Sequence, residues 1–148
     1  MEEVNVKVLI AEAYEAVKKA YAPYSHFCVG AALQGSNGRI YHGCNIENAS
    51  FGATNCAERT AIFKAVSVGV TDLKAIAIVG GPEEKINGSE NPVLEYCAPC
   101  GICRQVMMEF CNPDTFQIIL IKSPEEYRIF TLRDLLPEGF GPGNLKSE

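Results

Sequence analysis

The sequence predicts a three-layer α/β/α sandwich built on a mixed sheet of about five strands. Two nearly continuous apolar runs, Leu73–Val79 and Phe116–Lys122, have the composition of strands that are buried on both faces. A helical pattern over residues 100–110 lies between them, and a strand–helix–strand unit of this kind places its two strands side by side and parallel. A hairpin signal in the N-terminal third adds antiparallel strands, so we expect a mixed sheet.

The N-terminal third supplies one helix and the hairpin. Residues 6–21 carry small and apolar side chains at helical spacing, and the proline-containing segment that follows ends the helix. Residues 27–34 and 39–43 read as two short strands. Between them, Gly35-Ser36-Asn37-Gly38 is a strong turn signal, which predicts that the two strands pair as a hairpin.

The middle and the C-terminal third alternate loops with regular elements. Residues 45–55 are small and polar, which is typical of a loop, and a helix is expected to run from Cys56 to the glycine at position 69. Residues 80–98 are rich in Gly, Pro, Asn and Glu and form the longest predicted loop. Residues 127–130 give a weaker strand signal that would complete the sheet.

Composition excludes several classes of function. The 148 residues fit one domain, predicted to span 1–148, with a formal net charge of -5 and no cluster of Lys and Arg. We therefore expect no binding to nucleic acid, which requires clustered cations. No apolar run is long enough to span a bilayer, and the acidic N-terminus is unlike a signal peptide. Seven cysteines without an export signal favour reduced thiols or metal ligands, hence a cytoplasmic protein.

Three of the cysteines are placed to hold one metal ion. Cys100 and Cys103 are three residues apart on a predicted helix, so their sulfurs share one face. Cys56 begins the other predicted helix. Three thiolates with a fourth position left open are typical of a catalytic zinc site. We therefore expect one Zn²⁺ per chain.

The residues beside these cysteines suit catalysis. Glu58 follows Cys56 by two residues, so its carboxylate can lie beside the metal and carry protons for a reaction there. Arg59 and Arg104 lie just inside the two helices and are expected to donate hydrogen bonds to the sulfurs. The positive ends of both helix dipoles offset the charge of three thiolates. A Cys-x-Glu segment with a Pro-Cys-x-x-Cys partner is typical of zinc deaminases acting on nucleobases.

Two other uses of the cysteines are possible. With Cys97 as a fourth thiolate, Cys56, Cys100 and Cys103 would form a closed structural zinc site, but Glu58 would then have no purpose. An iron–sulfur cluster would need a fourth cysteine closer to the others than position 111. Both readings are weaker than the open zinc site.

Beyond these positions, five segments resemble one known family. They are Asn55-Cys56-Ala57-Glu58-Arg59-Thr60-Ala61, Pro99-Cys100-Gly101-Ile102-Cys103-Arg104-Gln105, Tyr21-Ala22-Pro23-Tyr24-Ser25-His26-Phe27, Cys44-Asn45-Ile46-Glu47-Asn48-Ala49-Ser50-Phe51 and Leu135-Leu136-Pro137-Glu138-Gly139-Phe140-Gly141-Pro142. Together they resemble, in order and over almost the whole chain, the small homotetrameric class of zinc-dependent cytidine deaminases.

The resemblance implies a role for each matched residue. Cys56, Cys100 and Cys103 would hold zinc and Glu58 would carry protons. The expected substrate-binding residues are Phe27 against the pyrimidine ring, Asn45 and Glu47 at the ribose, the backbone of Ala57 at the base carbonyl, and the carbonyl of Ala98 at the leaving amino group.

The resemblance also implies a homotetramer with shared active sites, in which neighbouring subunits contribute Ala49, Phe51 and Phe140. Phe51 stands where tyrosine is common in the family. The implied activity is hydrolytic deamination of cytidine and deoxycytidine to uridine, deoxyuridine and ammonia in pyrimidine salvage. The alternatives are deamination of a cytosine nucleoside antibiotic such as blasticidin S, or a closed, non-enzymatic zinc module.

Overall fold

The structure is a computed structural model, and it describes residues 3–146. Five strands form one sheet: β1 (Phe27–Gly35), β2 (Ile40–Cys44), β3 (Leu73–Pro82), β4 (Gln117–Ile121) and β5 (Tyr127–Thr131). They lie in the order β2-β1-β3-β4-β5. The pair β3 and β4 is parallel and the other three pairs are antiparallel, which confirms the predicted mixed sheet.

Six α-helices surround this sheet within the described residues. They are α1 (Val6–Val17), α2 (Ala57–Ser67), α3 (Glu83–Gly88), α4 (Gly101–Phe110), α5 (Leu132–Leu135) and α6 (Pro142–Leu145). A 3₁₀ turn, Phe51–Ala53, interrupts the polar loop before α2. Across residues 3–146, every helix is too short or too polar to cross a bilayer.

Two apolar cores, one on each face of the sheet, give the three predicted layers. Along β3, alternate side chains point to opposite faces, as the period of a strand requires. Ala75 and Ala77 pack with the buried face of α1, whereas Ile76 and Ile78 pack with the small residues of α2 and with Met107 of α4. The continuous apolar run of β3 therefore reflects burial on both faces, and α2 and α4 lie on the same side of the sheet.

The boundaries of some elements differ from the predicted ones. Helix α1 ends at Val17 rather than near residue 21. Strand β3 continues through two glycines to Pro82, because it pairs with β1 along nearly its full length, so the predicted loop 80–98 begins late and also contains α3. Cross-strand pairing here outweighs the weak strand propensity of glycine.

Gly43 sets the distance between β2 and α2. A Cβ atom at this position would lie 2.1 Å from the carbonyl oxygen of Ala57 and 2.6 Å from the amide nitrogen of Ala61. Because both are backbone atoms of the helix, they cannot move aside as a side-chain terminus would. Only glycine therefore allows the first turn of α2 to lie this close to the sheet.

We expect Gly43→Ala to lower the free energy of unfolding by about 1–3 kcal/mol, the usual cost of overpacking a core. Gly88→Ala is the matched control, since a Cβ there meets no atom within 4 Å, and it should change stability by less than about 1 kcal/mol. Chemical denaturation of both variants makes the comparison. Equal stabilities would show that the close approach at Gly43 is not required.

Candidate active site

The first turns of α2 and α4 bring three thiols together. Cys56 is the N-cap residue of α2 and Cys100 is the N-cap residue of α4, both with extended backbone. Cys103 lies in the first turn of α4 and is fully buried. Both helices pack on the same face of the sheet, and the three sulfurs near their N-termini all lie within 4.8 Å of one another.

The spacing of the sulfurs fits a zinc ion. The Sγ atoms of Cys56 and Cys100 are 3.7 Å apart, and those of Cys100 and Cys103 are 3.6 Å apart. Tetrahedral coordination with Zn–S bonds of about 2.3 Å requires sulfurs separated by about 3.8 Å. Three thiolates are also soft ligands that suit zinc. The cluster can therefore hold one Zn²⁺ and leaves one tetrahedral position for another ligand.

The pKa values of Cys56 and Cys103 are shifted in opposite directions. A hydrogen bond from the Cys103 thiol, together with the guanidinium of Arg59, lowers the pKa of Cys56 to about 5. The Nη2 atom of Arg59 lies 3.4 Å from the Cys56 sulfur. The same sharing of a proton with Cys56 raises the pKa of Cys103. A thiolate at Cys56 is thus favoured at neutral pH, as metal binding requires.

Glu58 is a buried carboxyl group beside the thiols. Its exposed fraction is 4%, although it lies in the first turn of α2, where an acidic side chain usually reaches water. Burial raises the pKa of Glu58 to about 7. Glu58 lines the same cleft as Cys56 and Cys100. A carboxyl group held this way is suited to exchanging protons with a bound molecule.

Cys97 lines the cleft but does not belong to the thiol cluster. Burial raises the pKa of Cys97 to about 12, so that its thiol is neutral at physiological pH. Cys111 is the C-cap residue of α4, at the opposite end of that helix from Cys100. The cysteine geometry therefore supports neither the closed four-thiolate site nor an iron–sulfur cluster.

Arg104 makes contacts other than the expected ones. Its Nε donates to the carbonyl of Pro99 at 2.8 Å and its Nη1 donates to the carbonyl of Leu135 at 2.6 Å. The expectation that it donates to the sulfurs is therefore wrong for Arg104, because its guanidinium is occupied by two carbonyls. These bonds join the N-terminus of α4 to α5 and so brace the cysteine-bearing turn.

A cleft of about 320 Å³ opens from the thiols and Glu58. Its lining contains all five residues of this chain that were expected to meet a substrate: Phe27, Asn45, Glu47, Ala57 and Ala98. It also contains Cys97 and four residues to which the sequence assigned no role, namely Ser25, Val29, Thr54 and Asn55. Val29 follows Phe27 by two residues and so points to the same face of β1, a period-2 signal that was readable in the sequence.

The segment Asn45–Glu47 links the two ends of this cleft. Ile46 exchanges two backbone hydrogen bonds of 2.9 Å with Asn55, the residue before Cys56. On its other side, Tyr21 donates to the carbonyl of Asn45 and accepts from the amide of Glu47, again at 2.9 Å. The polar end of the cleft is therefore fixed relative to the thiol end through the backbone.

The three residues expected from neighbouring subunits are all on the surface of the chain. Phe51 is 74% exposed and Phe140 is 56% exposed, and Ala49 is exposed as well. The ring of Phe51 stacks edge-to-face with Tyr24, with ring centroids 5.9 Å apart, and Phe51 lines a neighbouring pocket together with Glu47 and Thr54. None of the three lines the cleft of their own chain.

Three thiols that fit an open zinc position, beside a buried carboxyl group on an α/β/α sandwich, define a zinc-dependent hydrolase. Comparison with known proteins agrees. Residues 4–119 match the family described as the cytidine and deoxycytidylate deaminase zinc-binding region. The chain therefore belongs to this family, and the expectation of a zinc cofactor is confirmed.

Individual relatives cover nearly the whole chain. A cytidine deaminase of Sporosarcina psychrophila is 48% identical over 95% of both chains. The crystal structure of cytidine deaminase from Burkholderia pseudomallei is similar with a TM-score of 0.79 and 44% identity, covering 93% of this chain and all of that one. The crystal structure of cytidine deaminase from Mycobacterium tuberculosis gives a TM-score of 0.73 and 39% identity, covering 94% of this chain and 99% of the other.

Proposed function

We propose that this protein catalyses the hydrolytic deamination of cytidine and deoxycytidine, giving uridine or deoxyuridine and ammonia. The observation that carries the proposal is the single cleft that joins Glu58 and the thiol cluster, through Cys56 and Cys100, to the polar residues Asn45 and Glu47. A pyrimidine nucleoside has the matching polarity, with its amino group at one end and its ribose hydroxyls at the other. The relatives named cytidine deaminase support the same substrate.

In the proposed mechanism, Cys56, Cys100 and Cys103 hold the zinc ion. When bound, the ion supplies Lewis acidity that lowers the pKa of a water molecule toward 7 and makes it nucleophilic. Glu58 takes a proton from the attacking water and delivers it to N3 of the base. The water oxygen forms a bond to C4, Glu58 then transfers the remaining proton of that oxygen to the amino group, the C4–N4 bond breaks, and ammonia leaves while C4 keeps the oxygen as a carbonyl. One carboxyl group thereby serves first as base and then as acid.

The remaining residues of the cleft would orient the nucleoside. Phe27 packs on the pyrimidine ring, and the backbone of Ala57 donates to the base carbonyl. The carbonyl of Ala98 accepts from the departing amino group. Asn45 and Glu47 bind the ribose, with the carboxylate of Glu47 accepting a hydrogen bond from the 3′-hydroxyl. Each of these residues lines the cleft, which supports the assignment.

The Glu47 assignment can be tested by its effect on selectivity. Glu47→Ala should lower kcat/KM for cytidine by about 10- to 100-fold, because a hydrogen bond to a charged group is lost. The kcat/KM for free cytosine, which has no ribose, should change little. The exposed Glu84→Ala is a matched control that should leave both values unaltered. An unchanged ratio between the two substrates would remove Glu47 from the ribose site.

We further propose a homotetramer whose active sites are completed by Ala49, Phe51 and Phe140 of neighbouring subunits. The exposure of both aromatic side chains supports this, since burial of an exposed Phe side chain at a subunit contact is favourable. Four chains of 16.1 kDa would give a particle of about 64 kDa. Sedimentation equilibrium measures this directly, and a monomer mass would contradict the shared sites.

We also propose that residues 1–148 form one domain that acts in the cytoplasm in pyrimidine salvage. All seven cysteines are unpaired, which supports a reducing compartment.

The activity itself is tested by the loss of ultraviolet absorbance when the zinc-loaded protein is mixed with cytidine or deoxycytidine. Blasticidin S serves as the alternative substrate. If the absorbance fell only with blasticidin S, the assigned substrate would be that antibiotic and not cytidine or deoxycytidine.

A further inference from the structure

We propose that Ser25 is a positioning residue whose hydroxyl group, bonded also to the backbone of Phe27, orients the Glu47 carboxylate toward the ribose end of the cleft. This inference rests on the proposed function. The Ser25 hydroxyl donates to Oε2 of Glu47. The Oγ atom of Ser25 in turn accepts from the amide of Phe27 at 3.0 Å. Ser25 itself lines the cleft.

Glu47 is held by more than this one contact. Its Oε1 accepts from the amides of Tyr24 and Ser25 at 2.9 and 3.1 Å. The hydrogen bond from the Ser25 hydroxyl, with these two amides, keeps the pKa of Glu47 below its usual value. A carboxylate offers about four acceptor sites. Three are therefore occupied by the loop, and the fourth, on Oε2, remains for a ribose hydroxyl.

The peptide groups of Phe27 are held from both sides by the ribose-binding pair. Its amide binds Ser25, which binds Glu47, and its carbonyl accepts from Nδ2 of Asn45 at 2.8 Å. Oδ1 of Asn45 also accepts from the amide of Val29 at 2.9 Å. One N–H of the Asn45 amide is left for the substrate. The position of the Phe27 ring is thus linked to both proposed ribose contacts.

The backbone between Ser25 and Phe27 shows why such a link is needed. His26 has a φ of 58°, in the left-handed region that residues other than glycine adopt infrequently. Such a conformation persists only where surrounding contacts fix it. Here the amide of His26 donates to Ala22 at 3.0 Å and its carbonyl accepts from Glu83 at 2.8 Å. This turn directs Ser25 and Phe27 into the same cleft, and the Glu47 carboxylate closes it.

Removing the hydroxyl should therefore weaken ribose recognition. In Ser25→Ala, Glu47 keeps its two backbone donors but loses the bond that orients Oε2. We expect KM for cytidine to rise about tenfold while kcat changes less than threefold. Ser25→Thr keeps the hydroxyl and should restore KM to within about threefold of the starting protein. Ser89→Ala, an exposed serine after α3, is the control and should match the unaltered protein.

A substrate comparison separates positioning from a merely structural effect. If Ser25 acts through the contact between Glu47 and the 3′-hydroxyl, then Ser25→Ala should cost less than twofold with 3′-deoxycytidine, which lacks that group. Equal losses with cytidine and 3′-deoxycytidine would overturn the proposal, and so would an unchanged KM for cytidine. If the unaltered, zinc-loaded protein failed to convert cytidine at all, the proposed function would fail instead, which distinguishes the two.

Discussion

Glu58→Gln is expected to lower the turnover of cytidine by about 10²- to 10⁴-fold, the contribution usual for a general acid–base group. Glutamine has nearly the same shape and volume as glutamate but cannot accept and then release a proton. Because Glu58 is buried at the cleft and does not belong to the thiol cluster, the exchange should leave the fold and the zinc content unaltered. Steady-state kinetics with cytidine measure the loss.

The control for this variant is Glu84→Gln, an exposed carboxylate on α3. It should retain full turnover. Zinc content per chain and the thermal unfolding midpoint are measured for both variants, so that loss of metal or of structure is recognised. Turnover of Glu58→Gln within a few fold of the starting protein, with zinc bound, would show that another group carries the protons.

The second large effect is expected from the thiol cluster. Cys103→Ala removes one of three sulfurs at a fully buried position, so the remaining two cannot complete the zinc site. Zinc affinity should fall by more than the roughly 10- to 100-fold that loss of an outer-shell partner costs. Deamination should fall with it. Elemental analysis after dialysis against a weak chelator reports the zinc content.

Cys97→Ala is the matched control for this experiment. It also removes a partly buried thiol close to the cleft, but one that lies outside the cluster. We expect one zinc per chain in Cys97→Ala and less than one in Cys103→Ala after the same dialysis. Loss of zinc from Cys97→Ala would support the closed four-thiolate site and would contradict an open coordination position.

Much of the fold could be predicted because burial leaves a pattern in the sequence. The apolar run of β3 indicated a strand covered on both faces, and the hairpin turn indicated β1 and β2. The limits of β3 could not be read in this way, because Gly80 and Gly81 look like a loop. A Cβ at Gly81 would lie 2.5 Å from the Cδ2 atom of Leu94, so this glycine packs against a side chain that is distant in the sequence.

One missed helix did carry a readable signal. Thr131 caps α5 by accepting from the amide of Asp134, and the Asp134 carboxylate accepts from the amide of Thr131 in return. This reciprocal pattern is a capping box, and its spacing is visible in the sequence. The four-residue length of α5 hid it, since so short a helix leaves no periodicity of apolar residues.

In the candidate site, local contacts were more predictable than distant ones. The cysteines at the two helix starts, and Arg59 three residues after Cys56, follow from helical geometry. The link from Ser25 to Glu47 joins residues 22 positions apart, and the bond from Arg104 to Leu135 joins residues 31 positions apart. Such pairs depend on how the loops pack in three dimensions. Local spacing could not indicate them.

The central claim is that this protein removes the amino group of cytidine by hydrolysis. It is tested most directly by incubating the zinc-loaded protein with cytidine in ¹⁸O-labelled water and analysing the products by mass spectrometry. We predict uridine that carries one ¹⁸O in its base, with one ammonia released per uridine. Absence of both products from cytidine and deoxycytidine, in protein that holds one zinc per chain, would contradict the account.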